Sequence, residues 1–267
     1  MGQPEQDRII TAYMQASSRI TESVVEYVTS QWLALGSYRD VDAAAFLSRV
    51  LPAITAGMTQ QGAVTDAYLS LIVSDQLGRD HPVKGTANFK NIRGVSDDEV
   101  FHRPFKTMRA GLAEGMTMSE AIDQGYQRLK TITRTHMQLP ARRTSRDFLS
   151  RTTGVAGYRR VLSGAENCGL CLVASTQRYR KSQLLPIHPG CDCRVAPIAG
   201  GDDPGQVIDE QRLAGAHAAI AQRFGDDAAD RGARDIDYRK VLLVEEHGEI
   251  GPVLTVKSHR FTGPADI

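Results

Sequence analysis

Cysteine is scarce in this 267-residue chain: four residues, all confined between Cys168 and Cys193. So few thiols, gathered so tightly, exclude a disulfide framework spread over the molecule. A surplus of charge is missing too. The formal net charge is +1, which excludes a globally cationic nucleic-acid or membrane-surface binder. No uninterrupted apolar run approaches the ~20 residues that span a bilayer. The opening Met1-Gly2-Gln3-Pro4-Glu5-Gln6-Asp7 lacks the basic and then apolar regions of a secretion signal, so synthesis and folding are expected in the cytosol, where thiols stay reduced. Internal repeats and low-complexity segments are absent. The apolar share, 41%, and the charged share, 24%, are those of an ordinary globular chain.

Charge is unevenly placed, and this matters more than its sum. From Arg128 to Arg194 thirteen Lys or Arg face three acids, Asp147, Glu166 and Asp192. From Asp202 to Glu249 twelve acids face six bases. A basic middle followed by an acidic tail can pair within the fold, or its basic face can meet an anionic partner.

The first 150 residues read as helix. Ile9, Tyr13, Ala16, Ile20, Val24, Tyr27 and Val28 recur at spacings of three and four, predicting a helix over Asp7–Leu35 that ends at Gly36. Asp40 caps a second stretch bearing Phe46, Val50, Leu51, Ile54 and Met58. Pro52 is expected to kink or divide it, because proline donates no backbone hydrogen bond. The pattern continues over Val64–Leu77 and stops at Gly78, and Arg79–Gly94 reads as a connecting loop. Ser96-x-x-Glu99 and Thr117-x-x-Glu120 are capping boxes, each opening an apolar-periodic run. Leu139-Pro140 is expected to end the second of these, with a short arginine-rich helix over Ala141–Ser150.

At Thr152-Thr153-Gly154 the texture changes. Tyr158–Leu162 reads as a strand entering the cysteine cluster, and Arg194–Ile198 as a strand leaving it. Gly200–Gly205 is a linker by composition, Val207–Phe224 an alanine-rich helix, and Val241–Val244 with Val253–Val256 a β-hairpin. The fold class expected is α+β: a helical amino-terminal domain over 1–139, a small Cys/His domain over 140–200, and a helix plus hairpin over 201–267.

Cys168 and Cys171 form a C-x-x-C pair; His188, Cys191 and Cys193 form an H-x-x-C-x-C group. Thiolates and imidazole at such spacings are the ligands of a structural zinc site, which would staple the small domain. Ordinary buried thiols, or disulfides formed outside the cell, are the other states open to these cysteines. Five candidates exceed four coordination positions. Cys191 and Cys193 face the same side if extended, in which case His188 can stand beside the metal rather than on it. No carboxylate is placed to activate a metal-bound water, and G-x-S-x-G, H-E-x-x-H and the zinc-deaminase pattern are all absent. The reading is therefore not an enzyme.

The block Cys168-x-x-Cys171 followed by His188-Pro189-Gly190-Cys191-Asp192-Cys193-Arg194 resembles the phage Mu F-like minor head proteins of tailed bacteriophages. The run Cys168–Tyr179, the helix-then-strand over Ala141–Leu162, Asp237–Lys240 and His247–Pro252 resemble versions found in phages of actinobacteria. What the resemblance implies is a minor capsid protein inside the head near the portal, assembled in the host cytoplasm. Its role would lie in head morphogenesis and in packaging or ejection of DNA. The implied partners are the portal protein and the inner capsid surface, with packaged DNA as a further candidate and no membrane. Arg142, Arg143 and Arg146, in the arginine-rich stretch, are the candidates for contact with DNA phosphates or an acidic protein surface, unless they simply form a solvated face. The histidines outside the cluster and hairpin show no partner spacing and read as structural. Two rivals remain from other classes: a zinc-dependent DNA-binding or nuclease-like protein, and a thiol-disulfide oxidoreductase at Cys168-Gly169-Leu170-Cys171, the weaker because that pair opens no clear helix after a core strand.

Overall fold

The computed structural model of the protein describes residues 3–83, 85, 88–162, 175–176, 178–181, 193–200, 211, 214–215, 218, 242–249 and 251–256. Four long helices come first: α1 (Gln3–Leu33), α2 (Asp40–Leu77), α3 (Asp97–Ala113) and α4 (Met118–Arg151). Five strands follow: β1 (Val155–Val161), β2 (Arg178–Tyr179), β3 (Arg194–Ala199), β4 (Leu242–His247) and β5 (Gly251–Val256). The chain divides into two compact units, one of Gln15–Asp66 and Lys84–Thr144, the other of Met1–Met14, Ala67–Val83 and Ser145–Asp266.

The helical unit is built on apolar positions that recur every three or four residues. Val24, Val28 and Trp32 of α1 meet Phe46, Val50, Ile54 and Met58 of α2, Phe101 and Phe105 of α3, and Leu129 and Ile132 of α4 in one buried cluster. Trp32 lies at its aromatic centre, with ring centroids 4.7 Å from Phe105, 5.0 Å from Tyr38 and 6.0 Å from Phe46. α4 passes so close that a Cβ at Gly125 would stand 2.7 Å from Trp32 Cζ2 and 3.0 Å from Pro104 O. The position tolerates glycine because glycine has nothing to place there.

Local chemistry starts the helices. Asp42 accepts from Ser37 Oγ and, at 3.2 Å, from the Arg39 amide, holding the turn that leads into α2. Ser96 caps α3, its hydroxyl accepting from the Glu99 amide at 3.2 Å. The Glu99 carboxylate turns away to Lys106 Nζ at 2.9 Å, so only half of that box closes. The second box closes fully: Glu120 N donates to Thr117 Oγ1 at 3.3 Å and Thr117 N to Glu120 Oε2 at 2.8 Å. The Thr117 hydrogen bonds hold the Glu120 carboxyl below its ordinary value.

Pro52 does not divide its helix, α2, and Pro140, expected to end a helix, lies inside α4. A proline in a helix interior costs roughly 3 kcal/mol or more. Burying one large apolar side chain contributes roughly 1.5–3 kcal/mol, and α2 buries Phe46, Val50, Ile54 and Met58 around its proline. Tertiary packing outweighs the lost hydrogen bond. By length and composition alone α2 would also pass for a membrane span, but its apolar side is spent on these core contacts and Gln61 and Thr65 are buried among its residues.

In the second unit β1, β2 and β3 form a sheet of order β2-β1-β3, antiparallel throughout. Tyr158 stands opposite Tyr179 and Pro197; Arg160 stands opposite Val195. A bulge between Val155 and Gly157 re-aims β1, and a Cβ at Gly157 would meet Tyr179 O at 2.5 Å. The outer edge of β3 is covered by Gln76 from the last turn of α2, which accepts from Ala199 N at 2.8 Å and donates to Pro197 O at 3.0 Å. Tyr13 and Tyr68 stack 4.1 Å apart in the same unit. Lys181 Nζ donates to Thr152 O at 2.6 Å just past the end of α4, where a cation complements the helix dipole. β4 and β5 pair as a separate antiparallel hairpin, from Leu242 opposite Val256 to His247 opposite Gly251. The helix expected over 207–224 lies for the most part outside the described residues.

One part of the expected fold class is corrected. The small domain was to be stapled by a Cys/His zinc knuckle, but among the described residues no three His, Cys, Asp or Glu side chains gather in a group able to hold a metal ion. What holds this unit among the described residues is strand pairing, the Gln76 contacts and a buried arginine–cysteine hydrogen bond.

Candidate functional site

Of the five side chains expected to bind metal, the structure describes Cys193; Cys168, Cys171, His188 and Cys191 lie outside the described residues. Cys193 directly precedes β3 and is buried. Its sulfur accepts a hydrogen bond from Arg160 Nη1 at 3.0 Å. Strand pairing makes this contact: Val161 stands opposite Arg194 and Arg160 opposite Val195, so the side chains of Arg160 and Cys193 meet on one face of the sheet. Tyr158 and Tyr179 share that face, their rings stacked 5.3 Å apart.

The guanidinium is 4% exposed, a burial that ordinarily disfavours charge. Here burial does oppose the charge, but the Cys193 sulfur and the Tyr158 and Tyr179 phenols more than offset it, and Arg160 lies above its ordinary value. Burial in turn pushes the Tyr179 phenol up, against the pull of Arg160. The arrangement is a fixed cation held inside a small sheet. It orients strands rather than moving protons, because a guanidinium keeps its protons at any physiological pH.

Zinc, and with it the metal-binding role, is corrected: among the described residues no group of three His, Cys, Asp or Glu side chains is able to hold a metal ion.

The three arginines proposed for an anionic partner all lie on α4. Arg142 and Arg143 are half-buried and Arg146 is exposed. Arg146 Nε lies 3.5 Å from Asp147 Oδ1, and Arg151 Nη2 lies 3.9 Å from Asp147 Oδ2. Asp147 therefore offsets part of the charge that composition attributes to this stretch.

A second polar centre lies in the helical unit, and sequence spacing did not disclose it. Arg93, 3% exposed, donates from Nε to His136 Nδ1 at 3.1 Å and from Nη2 to Ile132 O at 3.3 Å. His136 Nε2 lies 3.5 Å from Asp97 Oδ1. His136 reads as structural in the sequence; its neighbours, Arg93 before α3 and Asp97 at its first turn, lie some forty positions earlier. The one signal in the sequence was an arginine near the end of the expected loop over 79–94 and an aspartate directly after Ser96.

No curated protein matches the chain, and no solved structure does. A family model described as VG15 protein matches residues 5–220, from α1 through β3. On that match, which takes in most of the sequence, the chain belongs to the VG15 protein family.

Proposed function

We propose that the protein is a bacteriophage minor capsid protein, carried inside the head at the portal vertex, with a structural part in head morphogenesis and in the passage of DNA. The observation that carries this reading is the block His188-Pro189-Gly190-Cys191-Asp192-Cys193-Arg194, preceded by Cys168-x-x-Cys171, which resembles the Mu F-like minor head proteins. The arrangement around it supports a structural role. A long helix, α4, runs into β1, and β3 starts at Arg194, the last residue of the block, and pairs along β1. The centre formed there is a buried cation fixed between strands, which suits a rigid adaptor.

Co-expression with the portal protein of the same phage, followed by sedimentation, tests the partner. Co-migration with the portal ring and a few copies in purified virions are the expected results. A chain that sediments alone beside portal, and that mass spectrometry fails to find in virions, would refute the reading.

A further inference from the structure

The segment before α3 is fastened to α4 by a chain of three buried side chains. Arg93 reaches from the segment to His136 and to the Ile132 carbonyl, and His136 faces Asp97 at the first turn of α3. Asp97 is tied back to the same segment. Its Oδ2 accepts from Asn91 N at 3.3 Å, and its own amide donates to Asn91 Oδ1 at 3.3 Å. Asn91 holds φ at 53°, a left-handed conformation that asparagine tolerates better than most residues and that this reciprocal pair secures. The Phe101 ring stands edge-on to the imidazole at 5.1 Å.

The proton positions follow from the donors. A guanidinium has only N–H to offer, so His136 Nδ1 must carry the lone pair and Nε2 the proton; Nε2 lies 3.5 Å from Asp97 Oδ1 without a hydrogen bond between them. A doubly protonated imidazole could not accept from Arg93 and would place one cation against another inside a core of Val100, Phe101 and Ile132. We propose that Arg93, His136 and Asp97 form an acid-sensitive latch, closed while His136 is neutral and opened by its protonation, which releases residues 88–97 from α4. This goes beyond the proposed role in the phage head and does not depend on it.

The sign is set by burial. Removal from water, and next the Arg93 charge, lower His136 from its ordinary range to about 3. The closed latch thus excludes a proton that the opened imidazole accepts near its usual ~6.5. Closure is fully favoured above about pH 6.5 and weakens as the pH falls from there toward 3. Asp97 acts in the other direction: burial raises its carboxyl, helped by Asp98 and opposed by the Asn91 amide, Arg93 and Lys90. A proton taken up there favours the closed form and trims the effect at the acid end. The charged groups facing the latch are therefore Arg93 and Lys90 from the segment and Asp97 and Asp98 from α3.

Hydrogen exchange on the full chain between about pH 7 and about pH 4.5, corrected for the intrinsic pH dependence of exchange, tests this. Protection of residues 88–97 should fall by up to roughly tenfold per pH unit below about 6.5, while α1 stays protected. His136→Gln keeps an acceptor for Arg93 and an N–H near Asp97 but cannot be protonated, so its protection should not fall as the pH is lowered. A wild type that shows no loss, a variant with the same loss, or a loss spread evenly over all helices would each overturn the latch. Should the variant fold poorly, NMR titration of His136 in the wild type decides: no titration above about pH 4 is expected, and a midpoint near 6.5 in the folded chain would overturn it.

Discussion

Two of the buried centres among the described residues, one in each unit, are made of opposite materials. In the helical unit Trp32 is enclosed by Phe46, Phe105 and Tyr38, and its indole N–H has no hydrogen-bond partner in the structure. In the sheet-bearing unit the centre is a cation, Arg160, held by a sulfur and flanked by phenols. The first is held by shape and dispersion, which depend on volume. The second is held by a charge-assisted hydrogen bond, which depends on the identity of one partner atom. Substitutions that conserve volume should therefore spare the first centre and damage the second.

Truncating Trp32 to alanine has the largest expected effect, roughly 3–5 kcal/mol, since it removes the widest buried ring and leaves a cavity. Trp32→Phe should cost clearly less, because it keeps much of the packing and removes an unpaired buried N–H. Chemical denaturation followed by circular dichroism measures both. Equal losses in the two variants would mean that the ring is not held by packing.

Cys193→Ala comes next, at roughly 1.5–3 kcal/mol, because it takes an acceptor from a buried cation. Arg160→Met, which removes the charge itself and keeps the stem, should cost less than Cys193→Ala. The single tryptophan, Trp32, reports the helical unit by its fluorescence, and hydrogen exchange along β1 and β3 reports the sheet. A cysteine variant that leaves exchange in β1 and β3 unchanged would remove the contact from the account of this unit.

These centres differ also in how far the sequence discloses them. Val24, Val28, Phe46, Val50, Ile54 and Met58 of the helical core follow from a three- and four-residue apolar rhythm, though Trp32 at its centre was not singled out, and the caps at Ser96 and Thr117 follow from residues three positions apart. Such signals are local. Pro52 and Pro140 mislead for the opposite reason: their effect is local, and what overrides it is burial against distant helices. The Arg160–Cys193 contact depends on the register of β1 against β3, thirty-three positions along the chain, and no spacing rule encodes it. The same four cysteines whose clustering suggested zinc include one whose neighbour is a guanidinium. Ligand spacing shows which side chains are available, but not whether the fold gathers them, and among the described residues no metal-competent group forms.

Matched glycine substitutions sharpen the contrast at a smaller scale, each at roughly 1–3 kcal/mol. Gly125→Ala presses a methyl group on Trp32 and the Pro104 carbonyl; Gly157→Ala presses one on the Tyr179 carbonyl. The first should perturb the tryptophan fluorescence. The second should part β2 from β1 and appear as faster exchange there, with Trp32 undisturbed. A fluorescence change in Gly157→Ala as large as that in Gly125→Ala would show that the units do not respond separately.

The smallest effect is expected on α4, where the charge belongs to neither centre. Arg146 is exposed and its carboxylate neighbour Asp147 is next to it in sequence, so the pair stays in high dielectric and contributes little. Arg146→Ala should change stability by less than about 0.5 kcal/mol. Binding separates the roles open to this stretch. On duplex DNA, loss of a phosphate contact flattens the salt dependence by about 0.9 per contact; on an acidic protein surface, it weakens that protein and leaves DNA curves alone. The near-neutral chain and the twelve acids from Asp202 to Glu249 favour the second outcome, since that stretch repels a polyanion as densely charged as DNA. Parallel salt titrations of the wild type and Arg142→Ala/Arg143→Ala/Arg146→Ala against DNA and against portal should therefore move the portal curve alone. A flattened DNA slope with an unchanged portal curve would reverse that assignment, and two unchanged curves would leave the three arginines as a solvated helix face.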